Sequence, residues 1–231
     1  MNNSELQELF DKQAPIYDER WGKLSTLNQC LYFLLDYVFA PLPEQAKILS
    51  VGTGTGKELI HLAQHKPQWQ FTVVEPSSEM MQRCQQAVTD AGFAERCSFH
   101  QGYIESLAIT EKHHAATCFL VSHFILNPSE RSTFFQHIAN QLLPEGLLAS
   151  SDLCFDKHSA QYPLMLKLWM RLMSKLVEND MTIEELAEVY AKDVDLLPTG
   201  EIVNIITKGG FKEVLPFYQG GMIQAFCAKK A

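Results

Sequence analysis

The sequence predicts an α/β fold: a mostly parallel, doubly wound sheet closed by an antiparallel hairpin. Three observations carry this. From about residue 45 to 156, short apolar runs alternate with amphipathic stretches of helical period, the pattern of parallel βαβ units. The first of these runs leads straight into a glycine-rich segment that opens a helix. The chain closes on two strand-like runs around Gly220-Gly221, a strong hairpin signal.

The elements follow in order. Residues 4–13 read as a short polar helix broken at Ala14-Pro15, and residues 25–40 as an apolar helix stopped by Pro41 and Pro43. Strands are expected at 48–51, 71–74, 97–101, 116–121 and 147–152, with helices at 57–64, 78–91 and 128–143. Asn127 is placed to cap the last of these helices, with Pro128 at its first position. The alternation then stops. Residues 158–192 read as helical, with Thr182 and Glu185 as a capping box. A helix near 200–208 ends at Gly209-Gly210, and strands at 212–219 and 222–229 finish the chain. The expectation is one domain over residues 1–231. Its core is 45–156 and 195–231, and its helical lid is 1–40 and 157–194.

The chain has 231 residues, 46% of them hydrophobic and 20% charged, as in an ordinary globular domain with a sizeable core. The formal net charge of −8 repels phosphate backbones, so no nucleic-acid partner is expected. The six cysteines show no CxxC pair and no zinc-finger spacing to histidine. They read as reduced thiols, and no metal site is expected. The opening MNNSELQELFDKQ lacks the basic and apolar regions of an export signal, and no apolar run is long enough to span a bilayer. These features lead to expectations of a cytoplasmic location and no membrane insertion.

The chemistry gathers at the glycine segment Val51-Gly52-Thr53-Gly54-Thr55-Gly56. Glycines let the backbone turn sharply and let a ligand approach it, and the following helix start offers free N–H groups. A dinucleotide fingerprint needs GxGxxG, but the glycines here fall as GxGxG and Lys57 follows Gly56. The second strand ends in Val73-Val74-Glu75-Pro76. A carboxylate at that strand tip lies beside the glycine loop and can accept both hydroxyls of a ribose.

Together, ILSVGTGTGKEL, FTVVEPSSEMM, FHQGYIESL, CFLVSH and LLPEGLLASSDL resemble, in order, the motifs of class I S-adenosylmethionine-dependent methyltransferases, over about residues 45–156. The terminal ITKGGFKEVLPFYQGGMIQAFCAKK is similar to the last helix and hairpin of that Rossmann-like fold. The resemblance implies S-adenosylmethionine as cofactor. It implies that Gly52, Thr53, Gly54 and Gly56 pass under its methionine portion, Glu75 binds the ribose and Met80 packs on the adenine. Tyr103 and Ile104 would contact the adenine, and Val121 and Ser122 would border the methionine and the methyl group. Two departures stand out. Ser50 occupies the position where the family usually has an acid that orients the cofactor amine, so another acid must substitute or affinity falls. Tyr103 stands where the family often has Asp. The N-terminal Phe10-Asp11-Lys12-Gln13-Ala14-Pro15-Ile16-Tyr17-Asp18 resembles an F-x-x-x-A-x-x-Y-D pattern of small-molecule methyltransferases, including the quinone type. It implies that Tyr17 folds over the cofactor pocket.

Methyl transfer from a sulfonium is a direct displacement that needs alignment and exclusion of water, so no triad or metal cluster is required. His123, just beyond the fourth strand, is the candidate general base. His113-His114 precede that strand, at the end away from the cofactor, and are set aside. Tyr162, Met165, Leu166, Trp169, Leu172, Met173 and Leu176 form one broad apolar helical face. With the N-terminal helices, this region is expected to form a lid over a small apolar or aromatic acceptor, with Met165 and Trp169 as candidate contacts. Its alternatives are plain core or the interface of a homodimer. Within the fold, the alternative is a carboxy-S-adenosylmethionine synthase of wobble-uridine modification. That family holds its extra carboxylate with a C-terminal arginine, and this chain has none after Arg171. A nicotinamide-dependent oxidoreductase lacks its third glycine and a Tyr-x-x-x-Lys pair here. A non-catalytic S-adenosylmethionine-binding protein is suggested only by Ser50.

Overall fold

The computed structural model describes residues 2–108, 110–173 and 182–231. Seven strands form one sheet: β1 (Lys47–Val51), β2 (Gln70–Glu75), β3 (Cys97–Gln101), β4 (His113–Phe119), β5 (Leu142–Leu153), β6 (Phe211–Gly220) and β7 (Ile223–Lys230). The order across the sheet is β3-β2-β1-β4-β5-β7-β6. The first five positions pair in parallel; β7 runs antiparallel to both β5 and β6. This is the Rossmann-like doubly wound sheet with a C-terminal antiparallel hairpin. Strand order reverses between β1 and β4, and in such sheets ligands bind at the carboxyl ends of the strands beside that reversal.

Alternate residues of each strand feed opposite cores, as the period of two requires. Leu49 and Val51 enter one cluster with Ala116, Cys118 and Leu148. Helices α5 (Pro128–Gln141) and α8 (Thr199–Lys208) cover it through Phe135, Ile138, Ile202 and Ile206. Ile48 enters the other cluster with Phe71, Val73 and Ala115. Helices α2 (Ser25–Val38), α3 (Lys57–His65) and α4 (Ser78–Asp90) cover that side through Leu35, Leu59, Leu62, Met81 and Cys84. Local signals act as expected: Asn127 caps α5 through the Ser129 and Glu130 N–H groups, with Pro128 in its first turn. Thr182 and Glu185 form the capping box of α7 (Ile183–Asp193).

The expected break at Ala14-Pro15 does not occur. Helix α1 (Asn3–Gly22) runs continuously through Pro15 from a capping box of Asn2 and Glu5. An interior proline costs about 3 kcal/mol, but tertiary contacts on both sides of it hold the helix. Before it, Ala14 is buried, Phe10 packs edge-on against Phe124 at 5.5 Å, and Asp11 binds α4; after it, Asp18 binds Thr55 and Lys57 at the start of α3. Strand β4 starts and ends earlier than the expected 116–121. Strand β5 starts at Leu142, with a register shift between His113 and Ala115 where the two pair.

A third cluster forms around α6 (Tyr162–Met173), where Trp169, Met170 and Met173 pack with Leu24, Leu153, Met222 and Ile223. Leu164 and Leu168 lie on the exposed side of this helix. Leu176 falls outside the described residues.

Candidate active site

Helix α1 lies across the carboxyl ends of β1 and β2, held by hydrogen bonds at several points. Asp11 Oδ1 accepts from the Ser77 hydroxyl at 2.6 Å and from the Glu79 N–H at 3.2 Å. The Tyr103 hydroxyl donates to the Asn3 carbonyl at 2.8 Å. Asp18 accepts from the Thr55 hydroxyl at 2.6 Å and pairs with Lys57 at 3.0 Å. Two cavities lie beneath. The larger, about 1080 Å³, is lined by Phe10, Tyr17, Gly52, Gly54, Glu75, Met80, Tyr103, Ile104 and Val121, among others. The smaller, about 330 Å³, lies between the glycine loop and the α1–α2 corner. Tyr17, Trp21, Leu31, Tyr32, Tyr218 and Ile223 contribute to its wall, along with Thr53, Thr55 and Glu58. Tyr17, Gly52, Gly54, Phe119 and Leu120 border both.

The glycine loop is shaped by its neighbours. Gly52 has φ +63°, and a Cβ there would lie 2.4 Å from Val121 Cγ2. Gly54, at φ +58°, has nothing within 4 Å of where a Cβ would stand, so the main chain is open to a ligand. Glu75 fixes the loop, since its Oε2 accepts the Gly54 N–H at 2.8 Å while Oε1 accepts the Ser77 N–H at 2.9 Å. Burial raises the Glu75 pKa, and these two N–H bonds oppose the shift. Each carboxylate oxygen keeps a lone pair for a further donor.

Of the residues singled out from sequence, Tyr17, Gly52, Gly54, Glu75, Met80, Tyr103, Ile104 and Val121 meet at the larger cavity. Thr53 faces the smaller one, and its hydroxyl donates toward Ser50. Gly56, at φ +84°, instead closes against the Cys84 thiol, lines neither cavity and starts α3.

Besides Gly56, four residues are placed differently from expectation. His123 is 3% exposed and lines neither cavity; its Nδ1 lies 3.5 Å from Asp152 Oδ1. Burial lowers its pKa, against the pull of Asp152. A base role has no geometric support there. The Ser122 hydroxyl lies 2.8 Å from both Asp152 carboxylate oxygens and accepts from Arg131 Nε at 2.8 Å. Ser122 therefore supports the β4 loop from below. Met165 and Trp169 also line neither cavity. Trp169 is 1% exposed and lies on the hairpin turn, where a Cβ on Gly221 would meet its ring at 2.9 Å. The apolar face of α6 is core at the end of the β5–β7 pair, because that turn must be covered.

Sequence reasoning missed Glu58, Tyr32, Trp21 and Tyr218, which line the smaller cavity, and Arg131, which is wholly buried beside Asp152. Only Glu58 carries a local signal, as an acid in the first turn after the loop. Asp36, His61 and His65 also gather donor atoms within 4.8 Å of one another across α2 and α3, although no metal site was expected. They line neither cavity, and Asp36 Oδ2 lies 3.0 Å from His61 Nε2 as an interhelical bridge.

A strand-tip carboxylate that ties down an open glycine loop, at the sheet's reversal point, defines an α/β enzyme built for a nucleoside cofactor. The known relatives make the class definite. Residues 48–146 match the family described as "Methyltransferase domain". The chain is 30% identical over 205 residues to a Demethylmenaquinone methyltransferase of Chlamydia felis, covering 87% of this chain and 84% of that protein. It is 25% identical over 209 residues to a protein of the same name from Chlamydia caviae, covering 90% and 87%. An O-methyltransferase family protein from Burkholderia thailandensis shares the fold, with a TM-score of 0.65 and 13% identity. All of this chain aligns with 61% of that one. The CurJ carbon methyltransferase aligns with a TM-score of 0.64 at 16% identity, over 90% of this chain and 55% of that one. The chain belongs to the class I S-adenosylmethionine-dependent methyltransferases. It is an enzyme of that class, and S-adenosylmethionine is its cofactor.

The residues present fit that cofactor. The bare Gly54 backbone leaves room for a close approach, Glu75 offers two fixed acceptors for ribose hydroxyls, and Met80 and Ile104 supply an apolar wall for a base. Among the described residues no helix is long and apolar enough to cross a membrane.

Proposed function

We propose that the methyl acceptor is a small, largely apolar aromatic molecule of the quinol type, and that it occupies the smaller cavity. The observation that carries this reading is the makeup of that cavity. Tyr17, Trp21, Tyr32 and Tyr218 ring it with Leu27, Leu31 and Ile223, and it meets the cofactor cavity at Tyr17 and the glycine loop. Flat apolar rings with polar edges suit a flat ligand that carries a few oxygens. The names of the curated relatives agree with such an acceptor.

In this reading α1 and α2 form the lid, and the chain supplies alignment and dryness. S-adenosylmethionine brings an already activated methyl group when bound. Tyr17 stands between the two ligands. Burial and the nearby Glu75, Glu58 and Asp18 carboxylates push its pKa far up, so it stays a neutral donor at physiological pH. It orients an acceptor oxygen and takes no proton. With His123 buried elsewhere, the acceptor loses its own proton to water.

Turnover of short-chain demethylnaphthoquinols with S-adenosylmethionine, kept reduced and followed by mass spectrometry, tests the reading. The expected product carries one methyl group in place of a hydrogen, a net gain of CH2. Trp21→Ala should raise the acceptor KM at least about fivefold by losing a large ring contact, while S-adenosylhomocysteine affinity holds. Failure of every quinol alongside turnover of a hydrophilic acceptor would overturn it, as would an unchanged acceptor KM in Trp21→Ala.

A further inference from the structure

Ser50 leaves a gap where the resemblance expects an acid, and the structure shows what fills it. Ser50 is buried on β1, two residues before Gly52. Its short side chain makes room for Glu58, which reaches back from the first turn of α3. The Ser50 hydroxyl donates to Glu58 Oε1 at 2.7 Å, and Thr53 Oγ1 lies 2.8 Å from Ser50 Oγ. The Glu58 carboxylate is thus held by a chain of hydroxyls directly beneath the glycine loop, on the wall of the smaller cavity. Glu58 is 9% exposed, and among the described residues no ion pair reaches it. The nearest cation on its helix, Lys57, is engaged by Asp18. A buried carboxylate without a cation, facing a cavity, is costly unless a cation arrives.

We propose that Glu58, rather than a residue of β1, supplies the carboxylate that pairs with the ammonium of the cofactor's amino-acid end, and that cofactor binding displaces a proton from it. The proposal rests on the S-adenosylmethionine reading: the amino-acid end crosses the glycine loop, which borders both cavities, to reach Glu58 at the edge of the smaller one, and the acceptor keeps the ring wall of Trp21, Tyr32 and Tyr218. The charge balance is simple: the ammonium enters as a cation, the carboxyl proton leaves to solvent, and the pair that forms is neutral.

The surroundings agree. Burial pushes the Glu58 carboxyl up to about 7, with Glu75 adding to the rise, while the Ser50 hydroxyl and the N–H groups of Glu58 and Leu59 pull it down. Of the other titratable groups, Tyr17 of α1, Tyr32 of α2 and Cys84 of α4 are all pushed upward by burial and stay neutral near pH 7. Asp18 of α1 is held by Lys57 and Thr55, and Glu75 of β2 by two main-chain N–H groups. Glu58 is the carboxyl in this wall poised to change charge near neutrality.

Calorimetry with S-adenosylhomocysteine, which has the ammonium but undergoes no turnover, tests this without activity. For the wild type, affinity should rise about tenfold from about pH 6 to about pH 8. About half a proton should be released per ligand at about pH 7, read from two buffers of different ionisation enthalpy. Glu58→Gln keeps the size and the Ser50 hydrogen bond. It should bind about tenfold or more weakly at the higher pH, with a flat pH profile and no proton release. Methylthioadenosine, which lacks the amino-acid end, should bind both proteins alike at every pH. Proton release by the wild type needs no variant, so a poorly folding Glu58→Gln does not block the test. If S-adenosylhomocysteine binds with no pH dependence, or Glu58→Gln keeps both the affinity and the proton release, Glu58 is not the partner and the cofactor assignment stands. If neither ligand binds the wild type, the cofactor assignment itself is lost.

Discussion

At the scale of single residues, the site holds two carboxylates, Glu75 and Glu58, whose partners are main-chain N–H groups and hydroxyls rather than cations. Glu75 ties the loop through Gly54 and lines the larger cavity, where its oxygens would take the ribose hydroxyls. Glu75→Ala should weaken S-adenosylhomocysteine binding by about 1–3 kcal/mol, the range for charge-assisted hydrogen bonds. Calorimetry measures it, and an unchanged affinity would put the ribose elsewhere. His123 is the contrasting case. Its position after the fourth strand made it a candidate base, but its ring is buried against Phe124 at 4.4 Å and points at Asp152. His123→Asn should leave the pH profile of kcat where it is and show its effect in the melting temperature. A profile that loses a limb in this variant would restore the base role.

At the scale of elements, the β4 loop is carried by a buried charge network that ties four segments together. Arg131 of α5 lies 3.0 Å from Asp152 of β5 and 3.6 Å from Asp195 just after α7, and it donates to Ser122 at the end of β4. Burial pushes the Asp152 carboxyl up, but Arg131, then His123 and the Ser122 hydroxyl, hold it below its ordinary range. Removing one partner strands the other in a dry interior, so Arg131→Met should cost about 3–5 kcal/mol in denaturant unfolding. Adding Asp152→Leu to that variant should recover much of the loss. A double variant no better than the single one would mean that packing, not charge, sets the cost. The same scale explains why α1 ignores its proline: contacts from Asp11, Phe10 and Asn3 outweigh a local defect that propensity alone reads as a break.

At the scale of the whole molecule, burial of titratable groups sets how stability responds to pH. Glu58 has a folded pKa of about 7 against an ordinary value of 4.5. Its contribution is therefore fully present below about pH 4.5 and is lost as pH rises through about 7, a loss on the order of 3 kcal/mol. Glu58→Gln removes that loss, so without cofactor it should melt higher than the wild type at about pH 8, with the gap closing toward about pH 5. Equal melting temperatures at both pH values would mean that Glu58 is not buried as a charge. His113 and His123 act on the opposite side. Both are held neutral by burial, so stability falls as pH drops below their unfolded value of about 6.5.

The sequence alone determined the sheet, the glycine loop, Glu75 and the hairpin, because these are local. Strands and helices announce themselves by period, and a turn needs its glycines wherever it sits. It also marked Tyr17 and the gap at Ser50 through resemblance to a family pattern. Tertiary structure alone decided which side chains share a cavity. Glu58 meets Ser50 because one turn of α3 folds back under β1, and Tyr32 and Tyr218 meet at one wall although 186 positions separate them (218 − 32). Trp169 became core because the hairpin turn it covers lies some fifty residues further along the chain (221 − 169 = 52). An apolar face declares in the sequence that it will be buried. What buries it, a ligand or the protein itself, depends on which surface arrives opposite, and only the folded chain brings that surface there.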